Sequence, residues 1–168
     1  PILFTCRPES EGGRWPDADP AGRRALLRQA VDLGFDLVDV EARAGFDEVV
    51  AAKAGRGLVL SWHDFEGTPE DLDGIYEEMA ARRPDVVKIA VTARSVADLG
   101  RLLAFASRRA GVPGPGLVAL AMGPLVRPTE LRDGSVEVSI DPARFPDVFG
   151  ADLPADDAAF RALATPRG

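Results

Sequence analysis

Short apolar runs rich in β-branched residues alternate along the chain with amphipathic stretches. The runs occupy 2–6, 36–40, 57–62, 86–91 and 117–122, each with the length of a strand. The stretches between them carry helix signals. Asp19 reads as an N-cap with Pro20 at the first helical position, Leu26, Leu27, Ala30 and Val31 form an apolar stripe, and Gly34 supplies a stop. Thr68, Pro69 and Asp71 resemble a capping box ahead of Leu72, Ile75 and Met79, with Pro84 beyond the end. Ser95 and Asp98 open a third helix in the same way, with Leu99, Leu102, Leu103 and Ala106 turned inward and Gly111 closing it. The stretch 46–54 is a weaker helix candidate. Strand and helix at this spacing mean parallel βα units.

The strands divide cleanly by parity, because alternate side chains point to opposite faces. Val87, Ile89 and Val91 share one face and Val86, Lys88 and Ala90 the other. Leu58, Leu60 and Trp62 oppose Val59, Ser61 and His63; Ile2, Phe4 and Cys6 oppose Leu3, Thr5 and Arg7; Val38 and Val40 oppose Leu37, Asp39 and Glu41. Each strand therefore offers helices an apolar face and keeps polar groups on the other. A doubly wound sheet, covered on both faces, reads as near-continuous apolar strands, so the half-polar pattern predicts the interior of a (β/α)8 barrel of TIM type.

Composition narrows the function classes. A net charge of -7 and a pI near 4.8 argue against a nucleic-acid or anionic-membrane binder and favour a small soluble partner. No apolar run approaches a membrane span and no basic n-region opens the sequence, so a cytoplasmic protein is expected. One cysteine, Cys6, excludes an internal disulfide, and one Cys with one His is too little for a soft-metal cluster. No acidic spacing matches a calcium loop. No metal is expected.

On the barrel reading, the polar groups nearest the C-terminal strand ends are Arg7, Glu41, His63 and, deeper, Lys88, at the face where barrel enzymes build their sites. Lys88 has two readings. As a neutral amine it would attack a carbonyl to form a Schiff base; as an ammonium it would pair with Asp39 or Glu41 across the lumen. His63, the sole histidine, reads either as an acid/base group or as a loop residue bonded to backbone before Thr68.

The stretches "ILFTCRPESEGG", "DLVDVE", "SWHDFEGTP", "DVVKIAV" and "ALAMG", in this order, resemble type I 3-dehydroquinate dehydratase. The likeness covers about three quarters of the chain. It implies a (β/α)8 barrel and the dehydration of 3-dehydroquinate to 3-dehydroshikimate in the shikimate pathway of aromatic amino acid biosynthesis. By that resemblance Lys88 forms an imine with the C3 ketone, His63 removes the C2 proton and then helps hydroxide leave C1 as water, and Glu11 orients His63. Arg7 would bind substrate hydroxyl or carboxylate groups, with Phe65 and Met122 lining the pocket. No metal or dissociable cofactor is implied. Read without the resemblance, Glu11 is a solvated loop residue, Arg7 balances Asp39 or Glu41, and Phe65 and Met122 are core or rim residues. Asp64 is assigned to the turn toward Thr68, and Cys6 to the outward face as a small hydrophobe.

The chain also departs from the pattern. A (β/α)8 barrel takes at least about 200 residues, against 168 here. The first run resembles the family's third strand, so an incomplete barrel of about five to six strands is expected, open on one side. Where the resemblance calls for a glycine and then Ser-Arg stand Val126, Thr129 and Glu130, and no Ala-Pro-Gly-Gln follows. A frameshift or a gene-boundary error is one expectation for that break. We expect a partial barrel over 1–122 and a divergent Pro/Asp-rich segment over 123–168, with a strand at 135–140 and a short helix at 156–164. Three readings stand: the dehydratase; a catalytically weak barrel acting as a binding or oligomerising module, such as a homodimer; and another Schiff-base enzyme of the class I aldolase kind.

Overall fold

The computed structural model describes residues 2–52 and 57–123, together with the backbone of 126–127 and 139–140. Five strands form its centre: β1 (Leu3–Thr5), β2 (Leu37–Glu41), β3 (Gly57–Asp64), β4 (Val86–Thr92) and β5 (Gly116–Met122). They pair in parallel and strictly in chain order. A doubly wound sheet reverses strand order at a switch point; this one does not. Consecutive order with helical crossovers is the wall of a βα barrel, here covering five strands among the described residues.

Four α-helices cover the outer face: α1 (Pro20–Leu33), α2 (Asp47–Ala51), α3 (Leu72–Ala80) and α4 (Val96–Arg109). The Asp19 carboxylate accepts from the Gly22 N–H at 2.8 Å and caps α1. Gly34 ends it in the left-handed region, at φ 82°, where a Cβ is costly. Ser95 and Asp98 make the expected capping box on α4. The helix α3 starts later than the sequence predicts. Asp71 caps it, accepting from Gly74 N–H at 2.7 Å, while the Thr68 hydroxyl donates to the Thr92 carbonyl and ties the preceding loop to β4. The 46–54 candidate is realised as α2, with 53–54 outside the described residues.

The parity division holds on every strand. Val38, Val40, Leu58, Leu60, Trp62, Val87, Ile89 and Val91 enter one core with Leu27, Val49, Leu72, Met79, Leu102 and Phe105 of the helices. Each such side chain fully removed from water contributes about 1.5–3 kcal/mol. On α4 the deepest residue is Phe105, with Leu103 and Ala106 only half-buried. Cys6 packs against this core as expected, and its thiol is pushed up by burial, against a lowering pull from Arg23 and with Glu41 adding to the rise. The opposite face keeps Asp39, Glu41, Ser61 and His63, all buried. β6 (Val126–Arg127) pairs antiparallel with β7 (Ser139–Ile140), which falls within the expected 135–140 strand. The expected 156–164 helix lies outside the described residues.

Candidate active site

The sequence "RPESEGGRW" folds back on itself directly after β1. Glu9 N–H donates to the Trp15 carbonyl at 2.9 Å, Trp15 N–H to the Arg7 carbonyl at 3.1 Å, and Gly13 N–H to the Pro8 carbonyl at 2.8 Å. Gly13 is required by this closure, because a Cβ there would overlap the Arg7 carbonyl. The loop carries a single 3₁₀ turn, Glu9–Glu11. That turn hangs Glu11 over the C-terminal end of β3.

His63 stands there, its side chain 6% exposed, with Nδ1 2.8 Å from Glu11 Oε2. Arg7 Nη1 also approaches Nδ1, at 3.1 Å. One ring nitrogen carries either a proton or a lone pair. The carboxylate is its charge-assisted partner, so the network assigns the proton to Nδ1 and leaves Nε2 as the acceptor. The Phe65 ring lies nearly parallel to the imidazole, with centroids 6.1 Å apart. Asp64 accepts the N–H groups of Glu66 and Gly67 at 2.8 and 2.9 Å, the turn role expected of it. A cavity of about 540 Å³ opens here, lined by Glu11, Arg43, His63, Phe65 and their neighbours.

Below His63 lies a charged layer. Ser61 on β3 is in register with Glu41 on β2 and Lys88 on β4. The Ser61 hydroxyl donates to Asp39 Oδ1 at 2.5 Å, Arg7 Nη2 donates to Asp39 Oδ2 at 2.7 Å, and Lys88 Nζ is 3.7 Å from the same oxygen. Lys88 is half-buried, 24% exposed along its side chain, with Asp39 as its charged neighbour. Arg7 Nη1 adds a bond to Ser61 Oγ at 3.2 Å and an ion pair to Glu41 Oε1 at 3.5 Å. Arg7 thus pairs with both Asp39 and Glu41, which the sequence offers as alternatives, and its guanidinium bridges them to His63.

One contributor escaped the sequence reading. Arg23 projects from α1, buried, and bonds Glu41 Oε2 and the Cys6 carbonyl. Its signal was available: Arg23, Leu27 and Ala30 share one helix face, so a cation sits in the inward stripe. Among the described residues Glu41 Oε1 is the buried side-chain atom without a hydrogen bond. Met122 is half-buried on the lumen face of β5, in register with Thr92. It lies beyond the cavity that His63 lines.

The site thus joins Lys88, His63, Glu11, Arg7 and Phe65 at the C-terminal end of consecutive parallel strands. A lysine and a carboxylate-held imidazole on one lumen face mark a candidate site at the place where βα barrels build theirs. The chain belongs to the type I 3-dehydroquinase family, whose sequence model matches residues 1–131. It is 41% identical over 137 residues to 3-dehydroquinate dehydratase of Thermococcus gammatolerans, covering 77% of this chain and 61% of that protein. It is 40% identical over 124 residues to the chloroplastic bifunctional 3-dehydroquinate dehydratase/shikimate dehydrogenase of Arabidopsis thaliana, covering 70% of this chain and 20% of the relative. Among solved structures, 3-dehydroquinate dehydratase of Enterococcus faecalis matches 73% of this chain and 55% of its own, at 30% identity and a TM-score of 0.64. The type I enzyme of Clostridium difficile, bearing covalently modified comenic acid, matches 73% and 51%, at 26% identity and a TM-score of 0.63. The chain therefore spans less than two thirds of the length of these relatives.

Proposed function

We propose that this chain carries the catalytic half of a barrel that dehydrates 3-dehydroquinate to 3-dehydroshikimate through an imine on Lys88. The neutral amine adds to the C3 ketone and water leaves, giving a protonated imine. This cation withdraws electrons from C2 and acidifies its hydrogen. His63 takes that proton on Nε2, and the same proton then goes to the C1 hydroxyl, which departs as water. Substrate loses H and OH and the lysine is recovered by hydrolysis. Histidine suits this double task because both of its protonation states are accessible near neutral pH. Glu11 holds the ring by Nδ1, Arg7 meets substrate oxygens, Phe65 forms a wall of the cavity, and Met122 stands on the lumen face beyond it. The covalent ligand on the Clostridium difficile relative supports a nucleophile in this family.

The observation that carries the reading is the Glu11–His63 contact at 2.8 Å on the lumen face that also bears Lys88. The proposed compartment is the cytoplasm, and the proposed division is a catalytic segment over 1–122 followed by a separate segment over 123–168. The test is borohydride trapping. Incubation with 3-dehydroquinate and reduction should add the substrate skeleton to Lys88, and dehydroshikimate absorbance should develop. His63→Ala should still form the adduct while turnover falls by about 10²–10⁴-fold. Undiminished turnover in that variant would refute the acid/base assignment.

A second reading has its own support. Among the described residues β1 and β5 each pair with one strand of the sheet, so a weak barrel that docks or forms a homodimer through those edges is the alternative. Unmodified Lys88 and a concentration-dependent dimer would favour it. The aldolase reading has no such support, since the family match is specific to 3-dehydroquinases.

A further inference from the structure

Arg23 stands on α1, outside the lumen, yet it holds the lumen's central cation from two sides. Its Nη1 donates to the Cys6 carbonyl at 3.2 Å, in the peptide that leads into Arg7, and the same nitrogen bonds Glu41 Oε2. The guanidinium lies over the Phe46 ring, 4.7 Å from its centroid. A planar fork stacked on one face and bonded along its edge is kept in one orientation. Arg23 is buried, so water does not compete for these contacts.

Glu41 passes this hold on to Arg7. With Oε2 taken by Arg23, the carboxylate presents Oε1 to Arg7 Nη1 at 3.5 Å. Among the described residues Oε1 is a buried acceptor with no hydrogen bond. Such an oxygen is costly, and the attraction of a nearby cation, which reaches beyond hydrogen-bond length, offsets that cost. Arg7 supplies the cation.

The direction of this pull matters. Arg7 Nη2 is fixed on Asp39 at 2.7 Å. Its Nη1 has two hydrogens and four neighbours: His63 Nδ1 at 3.1 Å, Ser61 Oγ at 3.2 Å, Glu41 Oε1 at 3.5 Å and Glu11 Oε2 at 4.0 Å. Glu11 Oε2 is also the atom that holds His63. Two carboxylates therefore draw one nitrogen, Glu41 from β2 and Glu11 from the loop after β1. Without Glu41 the balance falls to Glu11, and the guanidinium tips toward the cavity that Glu11 lines and competes with His63 for Oε2.

We infer that Arg23 is a positioning residue for Arg7, acting through Glu41 and the Cys6 carbonyl, and that the Arg23–Glu41 pair reserves the Glu11 oxygen for His63. Its effect on substrate rests on the imine reading above, in which Arg7 meets substrate oxygens. A helix on the outer face thereby sets the geometry of the polar layer inside.

The test reads Arg7 and substrate separately. Wild type, Arg23→Met, the Arg23→Met, Glu41→Met double variant and Glu41→Gln are treated with phenylglyoxal, which adds to guanidinium groups, and the mass of the Arg7 peptide is followed in time. Half-saturation by 3-dehydroquinate is read from borohydride trapping on Lys88, with circular dichroism checking that each protein is folded. Arg23→Met and the double variant should each modify Arg7 about 10-fold faster and raise the half-saturating concentration about 10-fold, with the maximal labelling rate changed less. A merely structural pair predicts otherwise: two apolar side chains of similar size restore the fold, and the wild-type values return with it. Wild-type Arg7 reactivity or an unchanged half-saturation in the folded double variant therefore overturns the inference, as does wild-type Arg7 reactivity in Arg23→Met. Should either variant fail to fold, Glu41→Gln decides, and unchanged Arg7 reactivity there overturns it. Faster Arg7 modification in the variants, with no 3-dehydroquinate adduct on any of the proteins, wild type included, would refute the dehydratase reading and leave the positioning of Arg7 standing.

Discussion

At the scale of single residues, the lumen is organised by Arg7. Its two terminal nitrogens meet Asp39, Ser61, Glu41 and His63, so one guanidinium sets the spacing of the whole polar layer. Glu41 needs a second cation and obtains it from Arg23, which reaches in from α1. Breaking a buried ion pair costs more than the pair contributes, because the survivor is left charged and dry. Arg23→Ala should therefore lose roughly 3–5 kcal/mol of folding stability, read as a shift of the urea midpoint. The Arg23→Met, Glu41→Met double variant should recover most of that loss. A single variant within experimental error of wild type would show the pair to be solvated. The same layer shows what could be read in advance. Parity alone places Asp39, Ser61, His63 and Lys88 on one face, because period two is a property of any strand. It says nothing of which partners meet across the lumen, so the pattern leaves Lys88 between nucleophile and ion pair and is silent on the Arg23 link from a helix.

At the scale of elements, boundaries follow the chemistry of the ends. Asp19, Gly34, Ser95 and Asp98 are legible because a cap needs only local groups. Thr68 misleads for a physical reason: its hydroxyl finds the Thr92 carbonyl, a partner distant in sequence, and the cap passes to Asp71. Asp98 is lowered although burial pushes it up, because the Arg94 and Ser95 N–H groups, the Ser95 hydroxyl and Arg101 together outweigh that push. On the outer surface, α3 and α4 are clasped by Asp73 between Arg108 and Arg109, at 2.6 and 2.7 Å. Hydrogen bonds from Arg108 and then Arg109 hold the Asp73 carboxyl below the usual aspartate range. The sign follows from linkage: a carboxylate lowered in the folded state stabilises it above the ordinary aspartate value and loses that contribution as pH falls through the folded one. Asp73→Asn should thus melt below wild type at pH 7. The gap should be constant down to about pH 5 and close below about pH 4, near the unfolded aspartate value. A gap independent of pH would mean that Asp73 acts through shape alone.

At the scale of the whole molecule, the sheet is asymmetric in what covers it. Among the described residues the outer face is packed by four helices, and the lumen face runs from β1 to β5. Leu3 shows the consequence: it falls on the lumen face of β1 and remains 48% exposed, although barrel parity would bury it. The sequence pattern made the barrel wall visible, since repeated βα units and half-polar strands need only neighbours in the chain. The closing strands could not be inferred from it, because closure depends on segments that pair across the barrel. Stability should therefore grade from the centre outward. Strands β3 and β4 each have two neighbours and carry the fully buried Leu60, Val87 and Ile89, so their amides should open only with global unfolding. β1 has three paired residues and one described neighbour, and its amides should exchange by local opening. Hydrogen exchange read by mass spectrometry should show the β1 peptides exchanging well before those of β3 and β4. Adding a polypeptide that supplies the closing strands should protect β1 selectively. Uniform protection in the isolated chain would mean that the β1 edge is already covered, as pairing with a second copy would cover it, and would turn the balance toward the homodimer.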